Sequence, residues 1–427
     1  MKGEPRGCAR VLLCLGVLLL SPAVRADGTL TGDWNGGRAA LQQRGIDPVL
    51  GYGSEVAYNA SGGDHSTARY TDQWVFGGGF DLQALFGLPA ANARITLTDR
   101  NGRNLSDDAH LGTLQEVQEV YGRGQTLLLT QFWYRQSFAG GGADLKLGRM
   151  PAGEDFASFA CDFENLSFCG SQPGDLYGNY WYNWPVSSWA ARLKLQLGGD
   201  VDARLGIYQV DPAYVDTQWE RHSGWKIENP GGTAGALIPL QLDWSPAFGA
   251  ERLAGQYAAG LWYSTAPAND VLLDSGGQPA VLTGATPLVR HGSYGGYLDL
   301  QQALGGGVKG FLRAVQADRR TSTVDSQVTL GLVCTGFWRA RPQDDAALAL
   351  ARSHVNGRVA DGERLQDQLT PGTVAVQTSE YVGELYYSWH ALPGLVLRPD
   401  LQYVLHPGGS SRNDDALVLG LKTQVAF

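Results

Sequence analysis

The stretch Leu417-Val-Leu-Gly-Leu-Lys-Thr-Gln-Val-Ala-Phe427 alternates apolar and polar side chains and ends on an aromatic residue. Side chains alternate between the two faces of a strand, so Leu419 and Leu421 share one face, whereas Lys422 and Gln424 share the other. This arrangement suits a strand between membrane lipid and a wet interior, and it equally suits a half-buried strand of a soluble sandwich. The segment therefore predicts a β-strand and leaves two fold classes open.

Residues 1–26 have the pattern of a cleaved secretion signal. A basic start precedes an apolar run over residues 11–20, which is too short to cross a bilayer. Val24 and Ala26 provide the cleavage pattern, and we expect cleavage after Ala26. A retained membrane anchor and a lipoprotein are the alternatives; the second is disfavoured because Cys14 lies inside the apolar run instead of after it.

Composition narrows the class of protein. The chain carries 42 acidic and 33 basic residues, a net charge of −9, which argues against nucleic acid as a partner. No stretch beyond residue 26 approaches the apolar length of a transmembrane helix. The chain contains 58 glycines, 12 tryptophans and 18 tyrosines, and such abundance is typical of barrel turns and aromatic girdles.

Three cysteines remain after the expected cleavage. Cys161 and Cys169 are close in sequence, and in an oxidising periplasm a disulfide between them is the natural interpretation. A metal site is the alternative, but no further Cys or His lies nearby, so we expect neither a metal nor a cofactor. Cys334 lies in the apolar run 330–338 and is expected to be a buried small hydrophobe.

One helix is predicted near the start. Asp33 or Asn35 can cap it, residues 38–44 are good helix formers, and Gly45 ends it. We assign residues 27–47 to this N-terminal helical segment.

Residues 48–427 read as one domain of strands, joined alternately by short turns and long connections. An even strand number and this alternation predict an all-β fold, a single transmembrane antiparallel β-barrel of about 16 strands. A propeller would show a repeat of about 40–50 residues, and none is found. The predicted strands are 48–60, 69–84, 92–101, 126–138, 143–149, 187–197, 200–210, 235–245, 252–264, 292–303, 307–317, 327–339, 346–355, 377–391, 395–405 and 416–427. The predicted long connections are 101–125, 150–186, 211–234, 265–291 and 356–376.

The alternation also assigns cations to the barrel interior, because charge on the lipid side costs roughly 2–4 kcal/mol at mid-depth. The side chains expected to face inward are Arg94, Arg100, Arg192, Lys194 and Arg204. They either balance carboxylates of the lumen or select solutes through the fixed hydrogen-bond fork of arginine.

The connection 150–186 is rich in aromatic and acidic residues. Trp181 and Trp184 offer rings that stack on the C–H faces of pyranoses, and Glu154 and Asp155 offer acceptors for sugar hydroxyl groups. A loop closed by a disulfide could carry both groups into a pore. Alternatively, the aromatics belong to the interfacial belt or pack the loop onto the wall.

The chain resembles the carbohydrate-selective porins of the OprB type. The resemblance covers essentially the whole mature chain and is carried by Leu30-Thr-Gly-Asp-Trp-Asn-Gly-Gly-Arg38, Val120-Tyr-Gly-Arg-Gly-Gln125, Leu147-Gly-Arg-Met-Pro-Ala-Gly-Glu-Asp-Phe156, the segment 161–174, Tyr180-Trp-Tyr-Asn-Trp-Pro185, the segment 399–409 and Phe427.

This resemblance implies a sixteen-stranded barrel in the bacterial outer membrane, in contact with lipid and lipopolysaccharide. It implies passive uptake of sugars, commonly glucose, through a constriction lined by acids and by arginines, here Arg94, Arg100, Arg192 and Arg204. It also implies that the barrel-assembly machinery reads Phe427. The protein would work as a monomer or a homotrimer.

Three other functions stay open. A non-selective porin would share the fold. A barrel hydrolase would need a nucleophile, a histidine and an orienting group in contact; Ser388 and His390 are the nearest pair, and there is no Gly-x-Ser-x-Gly motif. A sugar-binding module without transport would not need an apolar face on every strand. We expect a channel and no enzyme.

Overall fold

The computed structural model describes residues 28–427, so the expected signal at residues 1–26 lies outside the described residues. Antiparallel strands dominate the chain. Their bounds are β1 (Ile46–Ser61), β2 (Ala68–Asp81), β3 (Ala91–Gly102), β4 (Leu127–Phe138), β5 (Ala143–Met150), β6 (Ser188–Gly198), β7 (Val201–Val210), β8 (Gly235–Trp244), β9 (Ala247–Phe248), β10 (Leu253–Asp274), β11 (Pro287–Gly305), β12 (Val308–Ala317), β13 (Val324–Thr335), β14 (Asp345–Val355), β15 (Ser379–Leu392), β16 (Leu395–Leu405) and β17 (Ala416–Ala426).

The sheet closes on itself. β1 pairs with β2 on one side and with β17 on the other, so that Tyr52 lies opposite both Trp74 and Val425. The two-residue strand β9 pairs only with β10, and β10 also pairs with β8. The other strands form a closed antiparallel barrel of sixteen strands, which confirms the predicted fold.

The alternation of side chains follows the predicted faces. In β17, Leu419 and Leu421 are 47% and 41% exposed on the outer face, whereas Lys422 is 2% exposed and points inward. In β14, Leu348 is exposed outside and Ala349 is buried inside. The apolar outer face and polar interior are the pattern of a membrane barrel.

Short helices occupy the ends and loops. The N-terminal helix α1 begins at Gly37, one residue earlier than predicted; Gly36 precedes it, and Asp33 Oδ1 accepts a hydrogen bond from the Ala39 amide at 3.0 Å. Asn35 makes no capping bond. The helices are α1 (Gly37–Gln43), α2 (Leu82–Phe86), α3 (Leu105–Asp108), α4 (Ala152–Asp155), α5 (Gln172–Leu176), α6 (Thr217–Ser223), α7 (Ala280–Thr283) and α8 (Gly357–Leu369).

One predicted loop was wrong. Most of 265–291 is a hairpin, because β10 continues to Asp274 and β11 begins at Pro287. Pro267 interrupts the alternation in sequence, but shifts in register on both sides of it let the two strands stay paired. The helix α8 in the connection between β14 and β15 was also not predicted.

The barrel has a short-turn end and a long-loop end. The loops used below are L2 (residues 103–126), L3 (151–187) and L4 (211–234), all at the long-loop end. The N-terminal segment lies at the opposite end, where the Leu30 amide donates to the Ala426 carbonyl at 2.7 Å. No helix in the described part of the chain is long and apolar enough to span a membrane.

Candidate functional site: a narrowed pore

L3 enters the barrel and is tied to its wall at its first turn. Lys146 Nζ donates to Asp155 Oδ2 at 2.9 Å, and Arg204 Nη1 donates to the Asp155 carbonyl at 2.7 Å. Arg192 Nε lies 3.4 Å from the same carboxylate. Burial would raise the pKa of Asp155, but the attraction of Lys146 and Arg192 outweighs it and holds that pKa below its usual value. Asp155 is therefore an ionised anchor of the loop.

The middle of L3 reaches the far wall. Arg313 Nη2, on β12, donates to the Gly170 carbonyl at 2.6 Å. Both oxygens of Glu384, on β15, accept from the amides of Glu164 and Asn165, at 2.7 and 3.0 Å. Because strands on opposite sides hold it, L3 divides the interior of the barrel.

The predicted disulfide between Cys161 and Cys169 is present, with Cα atoms 4.2 Å apart. The disulfide closes a turn of L3, and both cysteines line a cavity on the long-loop side of L3. Cys334, on β13, is buried and free, as expected of a small packing residue.

Two cavities remain beside L3. The inner cavity, toward the short-turn end, has a volume of about 650 Å³ and includes Gly28, Arg94 and Ala426 in its lining. The outer cavity, toward the long-loop end, has a volume of about 640 Å³ and includes Arg100 and Glu116. Four residues line both cavities, and we call them the neck: Gln73, Glu154, Trp184 and Gln424.

The neck combines an aromatic ring with unused hydrogen-bonding groups. Trp184 Nε1 donates to Gln73 Oε1 at 2.9 Å, which fixes the indole of L3 against the wall. Glu154 Oε1 accepts from Gln131 Nε2 at 2.5 Å, and its buried Oε2 atom has no hydrogen-bond partner among residues 28–427. The Glu154 side chain as a whole is 20% exposed. The side-chain amide of Gln424 makes no hydrogen bond to any residue in 28–427. An acceptor, an amide and a ring therefore face the same opening.

The wall above the neck carries a neutralised ion network. Lys422 Nζ lies 2.9 Å from Glu55 Oε1 and 2.7 Å from Glu119 Oε1. Arg100 Nη2 lies 3.8 Å from Glu119, and Arg100 Nε donates to Gln73 Oε1 at 2.9 Å. These buried charges pair with one another, so the network holds the wall in place and adds little net charge to the pore.

Two acids of the outer cavity behave differently. Burial raises the pKa of Glu116 to about 7, and it raises the pKa of Asp175 well above the usual value. Each has a buried carboxyl oxygen without a partner. The negative charge of Glu116 is therefore reduced near neutral pH.

Five of the predicted pore residues line cavities. Arg94 lines the inner cavity, Arg100 the outer one, and Trp184 and Glu154 both. Arg204 lines a side cavity of about 190 Å³, where its Nε lies 3.1 Å from Asp243. These placements bring Glu154 and Trp184 together at one point.

The other four lie in structural contacts, which is the alternative that the sequence left open for them. Arg192 and Asp155 form the buried anchor of L3, and Lys194 Nζ pairs with Asp202 at 2.6 Å. Trp181 is 0% exposed and packs against Trp262, with ring centroids 5.6 Å apart. A solute cannot reach the Trp181 ring in this arrangement, so we leave these four out of the proposed site.

Sequence reasoning missed three cavity residues. The alternation places Gln424 on the polar face of β17 with Lys422, and it also predicts an inward-facing Gln73 on β2, but neither was counted among the pore residues. Arg123 lies in L2, within the motif 120–125, where no alternation exists to place its side chain.

The pair considered for hydrolysis does not form a dyad. Ser388 Oγ accepts from Arg398 Nε at 2.7 Å and donates to Asp345 at 3.1 Å. His390 Nδ1 lies 3.7 Å from Asp344 instead. Each side chain thus lies beside a different carboxylate.

Comparison with known proteins gives consistent matches over most of the chain. The family described as "Carbohydrate-selective porin, OprB family" matches residues 65–427. Porin B of Pseudomonas aeruginosa is 42% identical, covering 99% of this chain and 99% of its own. Putative porin QuiX of Acinetobacter baylyi is 34% identical over 93% of each chain. The high-pH structure of Pseudomonas putida OprB superposes with a TM-score of 0.90 at 40% identity, covering 94% of this chain and 99% of its own.

Proposed function

Because the chain belongs to the OprB family of carbohydrate-selective porins of the bacterial outer membrane, we propose that its neck selects glucose and related monosaccharides during passive diffusion into the periplasm. Its porin relatives are channels and not enzymes, and we propose no catalytic role for this chain. The long-loop end would face outward and the short turns the periplasm.

The observation that carries this proposal is the chemistry of the neck. A sugar leaving water needs replacements for its hydrogen bonds, and the carboxylate of Glu154, whose side chain is 20% exposed, and the side-chain amide of Gln424 offer them. Trp184 offers an aromatic face to the C–H groups of the ring. Few contacts keep binding weak, which lets the solute leave again.

Arg94 and Arg100 flank the neck on its inner and outer sides. Among residues 28–427, the Arg94 guanidinium has only a long hydrogen bond, from Nε to Thr96 Oγ1 at 3.4 Å, so it retains donors for hydroxyl groups. Arg100 would act mainly by holding Gln73, and through it Trp184.

We also propose the partners of the folded barrel. Phe427 stacks on Trp74 with centroids 5.8 Å apart, and its carbonyl accepts from Arg38 Nη2 at 2.6 Å. This position suits a residue that the barrel-assembly machinery reads before closure. The exposed outer aromatics would contact lipid and lipopolysaccharide, in a monomer or a homotrimer.

Liposome swelling tests the proposal. The swelling rate of liposomes that contain the purified protein is measured in glucose and in tetraethylene glycol. The second solute is neutral and of similar mass, but it lacks the ring and most of the hydroxyl groups. Faster swelling in glucose is expected. Equal rates for the two solutes would make the protein a non-selective porin, and the absence of swelling would overturn the channel itself.

A further inference from the structure

The outer cavity contains two guanidinium groups with different surroundings. Arg100 is buried in the ion network and bonded to Gln73. Arg123 is exposed and lines the same cavity, and its side chain makes no hydrogen bond or ion pair with any residue that the structure describes. Arg123 is therefore a cation without a direct partner among the described residues, on the path to the neck.

The backbone and L3 together hold Arg123 in this position. Its φ of 56° is uncommon for a residue with a side chain, and Gly124 follows with a φ of 68°. The guanidinium lies against Gly178 of L3, where there is no room for a Cβ atom. Residues held in such backbone regions cluster at binding sites, where the surrounding structure maintains them.

The nearest acids form no ion pair with this guanidinium among the described residues. Glu116, Asp175 and Glu220 lie around Arg123, but none is within ion-pair distance of it among the described residues. Each has a buried carboxyl oxygen without a hydrogen-bond partner in the part of the chain that the structure describes. Burial raises the pKa of Glu116 and Glu220 to about 7, and that of Asp175 well above its usual range.

We infer that the outer cavity binds the carboxylate of polyhydroxylated monocarboxylates, sugar acids of the aldonate kind, with Arg123 as the partner of the carboxylate. An arginine presents parallel N–H donors that match the two oxygens of a carboxylate. The hydroxyl groups of the same solute would engage the neck below. This inference rests on the proposed function, because the acid uses the same neck as a neutral sugar.

The test compares uptake of radiolabelled gluconate and glucose into liposomes containing the full barrel, in potassium chloride with valinomycin so that no diffusion potential develops. Wild-type protein should admit both solutes. Arg123→Gln should lower the ratio of gluconate to glucose uptake by about tenfold, as expected for loss of one charge-assisted hydrogen-bond pair. Gly178→Ala should lower the ratio in the same direction, because it displaces the guanidinium without removing its charge.

The matched control is Arg221→Gln, which removes an exposed arginine of L4 that lines neither cavity. It should leave both rates unchanged. Folding of each variant is verified by its heat-modifiable mobility in electrophoresis. An unchanged ratio in Arg123→Gln, or exclusion of gluconate by a wild-type channel that admits glucose, would overturn this inference alone. Failure of both solutes to enter would overturn the proposed function.

Discussion

Gln73 Oε1 accepts hydrogen bonds from two directions, from Trp184 Nε1 of L3 and from Arg100 Nε of the wall, each at 2.9 Å. One oxygen thus joins the loop that narrows the pore to the buried ion network. The position of the aromatic ring at the neck depends on this junction.

Gln73→Leu should weaken selection. The substitution keeps a similar volume and removes the acceptor, so the indole loses a bond worth about 0.5–1.5 kcal/mol. The ratio of glucose to tetraethylene glycol swelling should fall by about 2–10-fold. Gln209→Leu is the control, since Gln209 bonds to Asn229 and Thr233 away from the neck. Equal ratios in the two variants would show that the junction has no part in selection.

Asp155→Asn should release the start of L3. The change removes the buried carboxylate that Lys146 and Arg192 share. Lys146 keeps Glu154 and Arg192 keeps Asp144 as partners, so the cost should lie below the about 3–5 kcal/mol of a buried pair that is broken completely. Single-channel conductance should rise as the loop leaves the pore. Asp361→Asn breaks only the exposed pair with Arg364 and should leave conductance unchanged. A conductance in Asp155→Asn equal to that of the wild type would contradict the anchoring role.

Removal of the disulfide should affect stability more than transport. In the chain-entropy account, a bridge over so short a segment contributes about 2.5 kcal/mol. With Cys161 and Cys169 both changed to Ser, the electrophoretic melting temperature should fall. Glucose swelling should stay close to the wild-type rate, because Arg313 and Glu384 still hold L3. A collapse of selectivity would mean that the bridge itself positions the neck.

Acidification should make the channel more anion-selective. Burial raises the pKa of Glu116 to about 7; Arg100 and Arg123 pull it down, and Asp107 and Glu119 push it up. As the pH falls from about 8 to about 6, this carboxyl loses its negative charge and the outer cavity becomes more positive. The reversal potential in a potassium chloride gradient should therefore shift toward the equilibrium potential of chloride.

Two variants separate the sources of this shift. Glu116→Gln should remove most of the pH dependence, because its side chain is neutral throughout. Glu220, whose pKa burial also raises to about 7, should account for part of the remainder, so the double variant with Glu220→Gln should depend on pH less than Glu116→Gln alone. A pH-dependent shift of the reversal potential in the double variant as large as that of the wild type would assign this shift to other groups.

The barrel could be predicted because strand geometry is local. Leu421 and Lys422 are neighbours in sequence, and the alternation alone places one outside and the other inside. The same rule placed Arg94 and Arg100 in the interior. The same alternation along β2 also predicts that Gln73, a polar residue without charge, faces the interior.

The loop could not be predicted in this way. Trp181 and Trp184 are three residues apart in L3, yet one is buried and the other faces the neck. The difference arises from Trp262 and Tyr297, which are distant in sequence and enclose the Trp181 ring. In the same way, the ion pairs of Asp155 depend on where L3 contacts the barrel wall, and the alternation of residues in the sequence does not predict that contact.

The most direct test of the neck as the selective step is the swelling ratio of glucose to tetraethylene glycol in Trp184→Ala. The matched control is Trp225→Ala, which removes an exposed tryptophan of L4. We expect the ratio to fall toward one in Trp184→Ala, with faster entry of tetraethylene glycol, and to stay at the wild-type value in the control. A wild-type ratio in Trp184→Ala would contradict the account.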